Sequence, residues 1–401
     1  MTSMLIISGQ FWPEGSGGAL ATYLITKLLS SYDDFKITVV TGTHRPAKID
    51  NVNFIIDEGF RIQYKPMRWL YFLRSPVRRY YRNLMKRYDV IYIPYGYELI
   101  PVSKELDKKV IVHVHDYQPI TYSTVILHNH QSSLIHDIKT DLVFELLEHG
   151  DYKRAIAGSL VAPIVMLNRV WMSEVDTIIC VSRRQAEIIS KMAPELANKI
   201  RVLYNPLPEI SPVEEKFEHP VFAYSGGGSY IKGFHVFMQG ALKILERWSS
   251  VKFMLTGGLR GFRWKHEKLV KRLNDTFTGK FRLLRRLPYK DVLRLYSRSH
   301  AVLVPSLYEE PLPYVVMEAM AMGTVPIASN VGGIPEMIEG IPAEKMLFEA
   351  GDVDDFVDKM ESVLAMSDKQ IVDIGFALRE AVLKKFNHEV VKRKLVKVFS
   401  L

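Results

Sequence analysis

The chain has 401 residues, of which 48% are hydrophobic and 24% are charged. This composition is that of a globular protein large enough for two domains, and it excludes wholesale disorder and a collagen-like repeat. The single cysteine, Cys180, excludes a disulfide scaffold and a thiolate-rich zinc site, whereas the net charge of +9 allows anionic partners without selecting one.

The sequence contains no run of about 20 apolar residues, which is the length that spans a membrane. The longest apolar stretch, 160–167, ends at Asn168 and Arg169. Residues 4–8 are apolar but have no basic residue before them, so we predict a first buried strand there rather than a secretory signal. We therefore expect a cytoplasmic protein.

Short apolar runs alternate with amphipathic stretches in the first half of the chain. This alternation predicts parallel strands that are buried on both faces. We predict strands at 4–8, 37–41, 90–93, 110–115, 177–181 and 200–203, and helices at 20–30 and 183–192. Residues 120–175 break the pattern and are expected to form a helical insertion, with 141–149 and 160–171 as its main helices.

The alternation stops and then resumes in the second half. Residues 206–220 are rich in proline and glutamate and are predicted to be a linker. Strands are then predicted at 221–224, 252–256, 301–305 and 325–328, with helices at 234–248, at 314–322 and from 354 onwards. We expect an α/β protein with two doubly wound, Rossmann-like domains, 1–205 and 221–385, which face a central cleft. We expect residues 386–401 to form a helix that returns to the first domain.

The most informative segment is 308–338. Glu310 follows a predicted strand and precedes a predicted helix, and Glu318 lies about two turns inside that helix. Free amides at a helix N-terminus favour anions, and a carboxylate can accept hydrogen bonds from the two hydroxyls of a ribose or hexose diol. Gly332 and Gly333 open the next predicted helix, where bare backbone can approach a phosphate. Two surface glutamates and a turn would produce the same spacing.

The same segment resembles a known family. The two glutamates with seven residues between them, the run Glu-Ala-Met-Ala-x-Gly-x-x-Pro from Glu318 and the sequence Gly-Gly-x-x-Glu from Gly332 are similar to the retaining glycosyltransferases of family 4. The resemblance extends over 221–338 and is weaker in the first 205 residues. It implies the GT-B fold and transfer of a hexosyl group from a nucleoside diphosphate sugar to a hydroxyl of a glycan or lipid-linked glycan, with retention of anomeric configuration.

The resemblance also implies roles for single residues. Glu318 would hold the ribose of the donor, and Glu310 would lie at the transferred sugar. The backbone amides of Tyr314 and Val315 would face the sugar and the diphosphate. His115, at the end of a strand of the first domain, would lie near the transferred sugar.

Glycine-rich turns are the other part of the implied donor site. Lys232 and Gly233 match the lysine–glycine pair that binds the diphosphate, and a lysine ammonium suits a phosphate. Gly17 and Gly18, between the first strand and its helix, would contact the diphosphate or the acceptor, although a plain tight turn explains them equally well.

The sequence departs from the family pattern at two positions. Gly227 stands where relatives commonly have an arginine that binds the diphosphate together with the lysine. Pro313 stands where relatives often have glycine. Proline offers no amide donor. Either another basic residue, such as Arg260 or Arg263, replaces the missing arginine, or the affinity for the donor is lower.

Two further patterns could indicate a metal. His113, His115, Asp116, His128 and His130 could supply ligands, although a structural histidine in a buried strand is an alternative. The Asp352-Val-Asp354 sequence resembles a metal-binding pattern, but its place before an amphipathic helix predicts helix capping instead. We therefore expect no metal or other cofactor.

The segment 61–87 holds nine basic residues and no acidic one, with interleaved aromatic residues. This pattern suits the anionic inner face of a membrane. A solvated helix face whose aromatic residues pack inward is the alternative, and nucleic acid is not expected as a partner.

The implied reaction needs a stabilised diphosphate leaving group. Lys232, the glycine-loop amides and the helix N-terminus near Tyr314 would supply that stabilisation, while Glu310 and His115 orient the sugar. No dedicated nucleophile stands out, so we expect front-face attack with the departing phosphate taking the acceptor proton. The alternatives are a sugar-nucleotide epimerase or phosphorylase on the same fold, or a non-catalytic sugar-nucleotide-binding protein at a membrane surface.

Overall fold

The computed structural model describes residues 2–128, 134–150, 152–161, 165–210, 213–257, 262–284 and 286–399. Two parallel sheets organise these residues, one of seven strands and one of six. Apolar runs form the central strands because helices cover both faces of each sheet, which leaves no solvated face for polar residues. The predicted α/β fold with two doubly wound domains is confirmed.

The seven-stranded sheet has the order β3-β2-β1-β4-β5-β6-β7. Its strands are β1 (Thr2–Ser8), β2 (Phe35–Thr41), β3 (Val52–Ile56), β4 (Val90–Tyr95), β5 (Lys109–Val114), β6 (Thr177–Cys180) and β7 (Ile200–Val202). The central strand β1 pairs through Met4 with Ile37 on one side and with Val90 on the other.

Within the described residues, eight α-helices lie between the strands of this sheet in the chain. They are α1 (Gly17–Ser30), α2 (Lys65–Leu73), α3 (Ser75–Met85), α4 (Ile100–Lys104), α5 (Leu134–His149), α6 (Tyr152–Val161), α7 (Val165–Glu174) and α8 (Arg183–Met192). Helices α5 to α7 lie between β5 and β6, in the part of the chain where the alternation of strands and helices is interrupted.

The six-stranded sheet has the order β10-β9-β8-β11-β12-β13. Its strands are β8 (Val221–Tyr224), β9 (Lys252–Thr256), β10 (Phe281–Leu284), β11 (Ala301–Val304), β12 (Val325–Ser329) and β13 (Leu347–Phe348). The helices that follow β7 are α9 (Phe234–Arg247), α10 (Trp264–Thr276), α11 (Tyr289–Arg298), α12 (Tyr314–Ala321), α13 (Ile334–Ile338), α14 (Val353–Leu364), α15 (Asp368–Phe386) and α16 (His388–Phe399).

Helix α16 packs on the first sheet although it ends the chain. Its buried residues Val391, Leu395 and Phe399 lie in one cluster with Ile6 of β1 and Ile37 of β2. The C-terminal helix therefore ties the end of the second domain to the core of the first.

The two domains also share a buried contact next to the cleft. Helix α1 of the first domain contributes Leu20 and Leu24 to the hydrophobic core that contains Leu312 and Tyr314 of the second. Across the same interface, the Glu336 carboxylate accepts hydrogen bonds from the backbone amides of Arg183 (2.9 Å) and Arg184 (2.6 Å) at the start of α8. A carboxylate at a helix N-terminus satisfies amides that have no intrahelical partner.

The prediction that Asp352 caps a helix is confirmed. Its Oδ1 accepts from the amides of Asp354 at 2.9 Å and Asp355 at 3.0 Å at the start of α14. Among the helices described, none combines the length and the apolar character needed to cross a bilayer.

Candidate active site between the two domains

A large opening lies where the carboxyl ends of the two sheets face each other. It is a cavity of about 780 Å³ that adjoins a second one of about 280 Å³, and both are lined by Gly17, Gly18, His115 and Lys232. The cavity wall includes the last residues of β1, β4 and β9, namely Ser8, Tyr95 and Thr256. This is the crevice in which doubly wound sheets bind ligands.

Lys232 and Glu310 form an ion pair in this cleft. The Glu310 side chain is buried and its Oε1 lies 2.6 Å from the Lys232 ammonium nitrogen. Glu310 also accepts hydrogen bonds from the hydroxyls of Ser306 (2.6 Å) and Tyr308 (2.7 Å). Lys232 lies over the Tyr308 ring, 5.0 Å from its centre. The two predicted site residues are thus held together, with the ammonium presented to the cavity.

The turn that carries Lys232 depends on a glycine. Gly233 has a φ of 69°, and a Cβ at this position would lie 1.7 Å from the carbonyl oxygen of Pro305. Only glycine avoids both the left-handed strain and this contact. The close approach brings the start of α9 against the end of β11, so that Lys232 reaches Glu310.

Glu318 is buried inside α12 and lines the cavity. Its Oε1 accepts a hydrogen bond from the Tyr289 hydroxyl at 2.8 Å. Burial raises the pKa of the Glu318 carboxyl to about 7, and the hydrogen bond from Tyr289 opposes that rise. Trp12 of the first domain packs edge-on against Tyr289, with ring centres 5.3 Å apart. This part of the cavity therefore presents a carboxylate that can accept hydrogen bonds, next to the aromatic rings of Tyr289 and Trp12.

Gly17 and Gly18 begin α1, where Gly17 lies close to the second domain and Gly18 lies close to His115 of the first. A Cβ on Gly17 would lie 3.2 Å from the Tyr314 ring, and a Cβ on Gly18 would lie 3.1 Å from the Cβ of His115. Tyr314 and Val315 form the first turn of α12 and also line the cavity. Amides of a first helical turn have no intrahelical partner, so they are available to a ligand.

His115 presents a neutral ring to the cavity. Burial lowers its pKa to about 4, and within the described residues neither ring nitrogen has a hydrogen-bond partner. The ring packs on His113, whose centre is 4.3 Å away and whose Nδ1 is 2.7 Å from the Tyr92 hydroxyl. A neutral imidazole can donate from one nitrogen and accept at the other.

The metal alternative finds no ligand set in the part of the chain that the structure describes, where no three His, Cys, Asp or Glu side chains are placed to share an ion. His113 is buried against Tyr92, and His128 lies 3.4 Å from Glu309 and 3.3 Å from Glu349. His130 lies outside the described residues.

Of the two candidate replacements for the missing arginine at Gly227, the structure describes only Arg263. Arg263 donates its guanidinium hydrogens to the carbonyl oxygens of Glu148 and His149. Arg260 lies outside the described residues. Arg286, which belongs to none of the sequence motifs above, lines the cavity after β10.

Tyr289 and Arg286 could not be found from the sequence because the strand before them was not predicted. β10 is a four-residue edge strand, Phe281–Leu284, that contains an arginine and lacks the apolar pattern of the central strands. Without that strand, the loop after it has no assigned place at the cleft.

The basic residues of the segment 61–87 include two groups, those that pair with acidic residues and those that are exposed. Arg68 is buried and donates to Glu98 Oε1 at 2.8 Å and to the Tyr95 hydroxyl at 2.6 Å. Arg78 and Arg82 both bind Glu105. The basic residues left exposed include Arg74, Arg79, Lys86 and Arg87. Exposed apolar residues accompany them on and beside α2, namely Tyr64, Met67, Leu70 and Leu73.

Comparison with known proteins identifies relatives of this chain. Residues 219–366 match the family described as glycosyl transferases group 1. The D-inositol 3-phosphate glycosyltransferase of Corynebacterium urealyticum is 24% identical over 184 residues, which are 45% of this chain and 42% of that protein. Spore coat protein SA of Bacillus subtilis is 26% identical over 187 residues, 45% of this chain and 48% of that protein. The chain thus spans less than half the length of these two relatives.

A longer match and several solved structures extend over more of the chain. The phosphatidylinositol N-acetylglucosaminyltransferase gpi3 subunit of Schizosaccharomyces pombe is 25% identical over 325 residues, 77% of this chain and 67% of that protein. Sucrose-phosphate synthase from Thermosynechococcus elongatus superposes with a TM-score of 0.73 at 17% identity, over 100% of this chain and 98% of that one. Anabaena HepE, solved with UDP and glucose, has a TM-score of 0.66 at 16% identity over 100% of both chains. These superpositions confirm the GT-B fold.

The role of Gly233 is tested by Gly233→Ala with Gly279→Ala as its control. Gly279 has nearly the same φ, 68°, but a Cβ added to it would meet nothing within 4 Å. The control should lose about 1 kcal/mol of unfolding free energy, from left-handed strain alone. Gly233→Ala should lose about 2–4 kcal/mol, because strain and overlap add. Urea denaturation measures both, and equal losses would contradict the close approach to Pro305.

Proposed function

Because residues 219–366 match the group 1 glycosyltransferases, we propose that this protein transfers a hexosyl group from a nucleoside diphosphate sugar to an acceptor hydroxyl. The observation that carries the proposal is the Lys232–Glu310 ion pair in the smaller of the two adjoining cavities, next to the first turn of α12, with Glu318 in the larger one. A cation for a diphosphate and carboxylates for sugar hydroxyls are what such a donor requires.

The donor would lie along the second domain. Lys232 and the amides of Tyr314 and Val315 would bind the diphosphate, and Glu318 would accept hydrogen bonds from the ribose hydroxyls. Glu310 would accept from the transferred sugar while it keeps Lys232 in place. Anabaena HepE, which shares the fold, was solved with UDP-glucose, which supports a donor of this class.

The reaction would break the bond between the anomeric carbon and the diphosphate oxygen and form a bond to the acceptor oxygen. We propose that the acceptor proton passes to the departing diphosphate and that the anomeric configuration is retained. Glu310 already accepts from three donors, Lys232, Ser306 and Tyr308, which suits it to orient the sugar rather than to attack it. Lys232 and helix amides would neutralise the leaving group without a metal.

The acceptor would enter from the first domain. That wall of the cavity is lined by Gln10, Tyr95, Tyr97 and Asp116, and none of its described lining residues is a lysine or arginine. Aromatic faces and a carboxylate suit the rings and hydroxyls of a sugar better than a phosphate. We therefore propose a glycan or the glycan part of a lipid-linked acceptor.

A lipid-linked acceptor would require the protein to reach a membrane surface. Exposed arginines beside exposed apolar side chains on and near α2 and α3 suit an anionic interface. The name of the gpi3 subunit, a phosphatidylinositol N-acetylglucosaminyltransferase, supports a lipid acceptor in a relative. We propose peripheral association through Leu70, Arg74 and Arg79.

The ribose role of Glu318 predicts a pH dependence. Its pKa of about 7 means that the carboxyl is largely protonated at pH 6 and ionised at pH 8. Hydroxyls donate to the ionised form, so the nucleotide that binds best among UDP, GDP and ADP should bind about tenfold more tightly at pH 8 than at pH 6. Calorimetry should show this slope for the wild type and a smaller slope for Glu318→Gln, because only the terminal phosphate of the nucleotide then changes its charge in this range. A variant that keeps the wild-type slope would remove Glu318 from this role.

The reaction itself is tested by a transfer assay in the presence of EDTA, with hexose derivatives of the nucleotide that binds best and a panel of glycan and lipid-linked acceptors. Lys232→Ala should lower kcat by about 10²–10³, because the leaving group loses its cation. Lys232→Arg should recover part of that loss. The control is Lys243→Ala, which removes a lysine from helix α9, shortly after Lys232 in the chain. Lys243 pairs with the exposed Asp354, so this variant should leave kcat unchanged.

NMR of the product anomeric proton reports retention or inversion in the same assay. Near-normal turnover of Lys232→Ala would mean that another group stabilises the diphosphate. Donor binding without transfer to any acceptor would favour a non-catalytic sugar-nucleotide-binding protein, and conversion of the donor alone would favour an epimerase.

Membrane association is tested by sedimentation with vesicles that contain phosphatidylserine or only phosphatidylcholine. The double variant Arg74→Gln/Arg79→Gln should lower binding to the anionic vesicles about thirtyfold, since each basic residue near the surface contributes about 1 kcal/mol. Lys271→Gln/Arg272→Gln removes the same charge from an exposed site of the second domain and should not. Equal binding by both double variants would assign 61–87 to a solvated face.

A further inference from the structure

The helical insertion of the first domain touches the donor loop of the second. The donor loop is defined here as residues 225–233, which connect β8 to α9 and end at Lys232 and Gly233. Helix α5 reaches this loop with its last turn, although about 80 residues of chain separate the two. This contact plays no part in the donor contacts proposed above.

Glu148 makes the contact through its carboxylate. The side chain is buried, and its oxygens accept hydrogen bonds from the Ser229 hydroxyl at 2.9 and 3.0 Å, from the Tyr230 amide at 2.8 Å and, at 3.4 Å, from the Ile231 amide. Hydrogen bonds to an ionised acceptor are stronger than those between neutral groups. Three consecutive residues of the donor loop are therefore held by one carboxylate.

Arg263 holds the end of the same helix through backbone carbonyls. Its guanidinium donates to the carbonyl oxygens of Glu148 at 2.8 Å and His149 at 2.7 Å. Carbonyls at a helix C-terminus have no intrahelical partner, and a cation there is favourable. Arg263 thus fixes the position from which Glu148 meets the loop.

A second contact supports the same docking. The segment 126–128 pairs with 307–309 next to Lys232: the Glu309 amide donates to the Ile126 carbonyl at 2.8 Å, and the His128 amide donates to the Leu307 carbonyl at 2.9 Å. Val125, Phe144 and Ile231 form a small buried apolar cluster between the insertion and the donor loop. The insertion is therefore packed against both sides of the Lys232–Tyr308 contact.

Glu148 acts from outside the cavity. Ser229, Ile231 and Lys232 line the cavity, whereas Glu148 does not. From this position the Glu148 carboxylate can orient the loop without contacting a ligand in the cavity.

We propose that Glu148 is a positioning residue: from behind the donor loop it holds the amides of Tyr230 and Ile231 and so sets where Lys232 meets the donor diphosphate. This inference rests on the proposed function for the identity of the ligand. It assigns the insertion, which belongs to the acceptor-side domain, an indirect part in donor binding, through the position of the donor loop.

The test compares Glu148→Ala, Glu148→Gln and Arg263→Ala with the control Glu174→Gln, which removes an exposed carboxylate from helix α7 of the same insertion. Hydrogen exchange of residues 226–234, which cover the donor loop from its second residue, is measured in the free proteins by mass spectrometry. Exchange should be about tenfold faster in Glu148→Ala and Arg263→Ala and less affected in Glu148→Gln, which keeps one acceptor oxygen. The control should match the wild type.

Binding of UDP, GDP and ADP, and of the corresponding monophosphates, is measured by calorimetry on the same proteins. For the diphosphate that binds the wild type best, Kd should rise about tenfold in Glu148→Ala, while the monophosphate should lose less than about twofold. A merely structural role would weaken both equally. Glu148→Gln serves for both measurements if Glu148→Ala does not fold.

Unchanged exchange in the 226–234 region, or equal losses for the mono- and diphosphate, would overturn the inference. A wild type that binds none of the three diphosphates would count against the proposed function alone. The exchange measurement would then decide whether Glu148 fixes the loop.

Discussion

The buried carboxylate of Glu310 constrains the whole cleft. A carboxylate removed from water is costly unless hydrogen-bond donors and a cation surround it, and Glu310 has the Ser306 and Tyr308 hydroxyls and the Lys232 ammonium. These partners come from two loops of the second domain, those after β8 and after β11. Both loops must therefore reach the same place, and a partly exposed lysine is left facing the space between the domains.

Close backbone approaches make that convergence possible. Gly233 lets the start of α9 meet Pro305, and a Cβ on Gly332 would lie 2.0 Å from the Glu310 carbonyl oxygen. Gly17 and Gly18 do the same for the first domain, which brings α1 against Tyr314 and His115. A Cβ at Gly233 or Gly332 would overlap the backbone and push apart elements whose separation sets the distance between the proposed donor groups. At Gly17 and Gly18 the contact would be tight, and the neighbouring side chains would have to move by a few tenths of an ångström.

Contacts between the domains complete the arrangement. Glu336 accepts from the first amides of α8, α16 returns to the first sheet, and α5 docks on the donor loop through Glu148. Each contact satisfies a helix end, a buried apolar face or loop amides that would otherwise lack partners. These three contacts, two polar and one apolar, thus hold the two domains together around the cleft.

The sequence by itself determined the fold class and most of the proposed donor site. Parallel strands buried on both faces leave clear apolar runs, and the Glu310, Glu318 and Lys232 motifs are local patterns of a few residues. The apolar pattern does not predict the edge strands β3 and β10. Each has a neighbouring strand on one side only and is partly exposed, so its sequence mixes polar with apolar residues. Only the tertiary structure decided which charges pair. Glu98 and Glu105 form ion pairs with arginines of the segment 61–87, which contains no acidic residue of its own. Glu148 contacts the donor loop although about 80 residues of chain separate them. Such pairing depends on distance in space rather than on position in the chain.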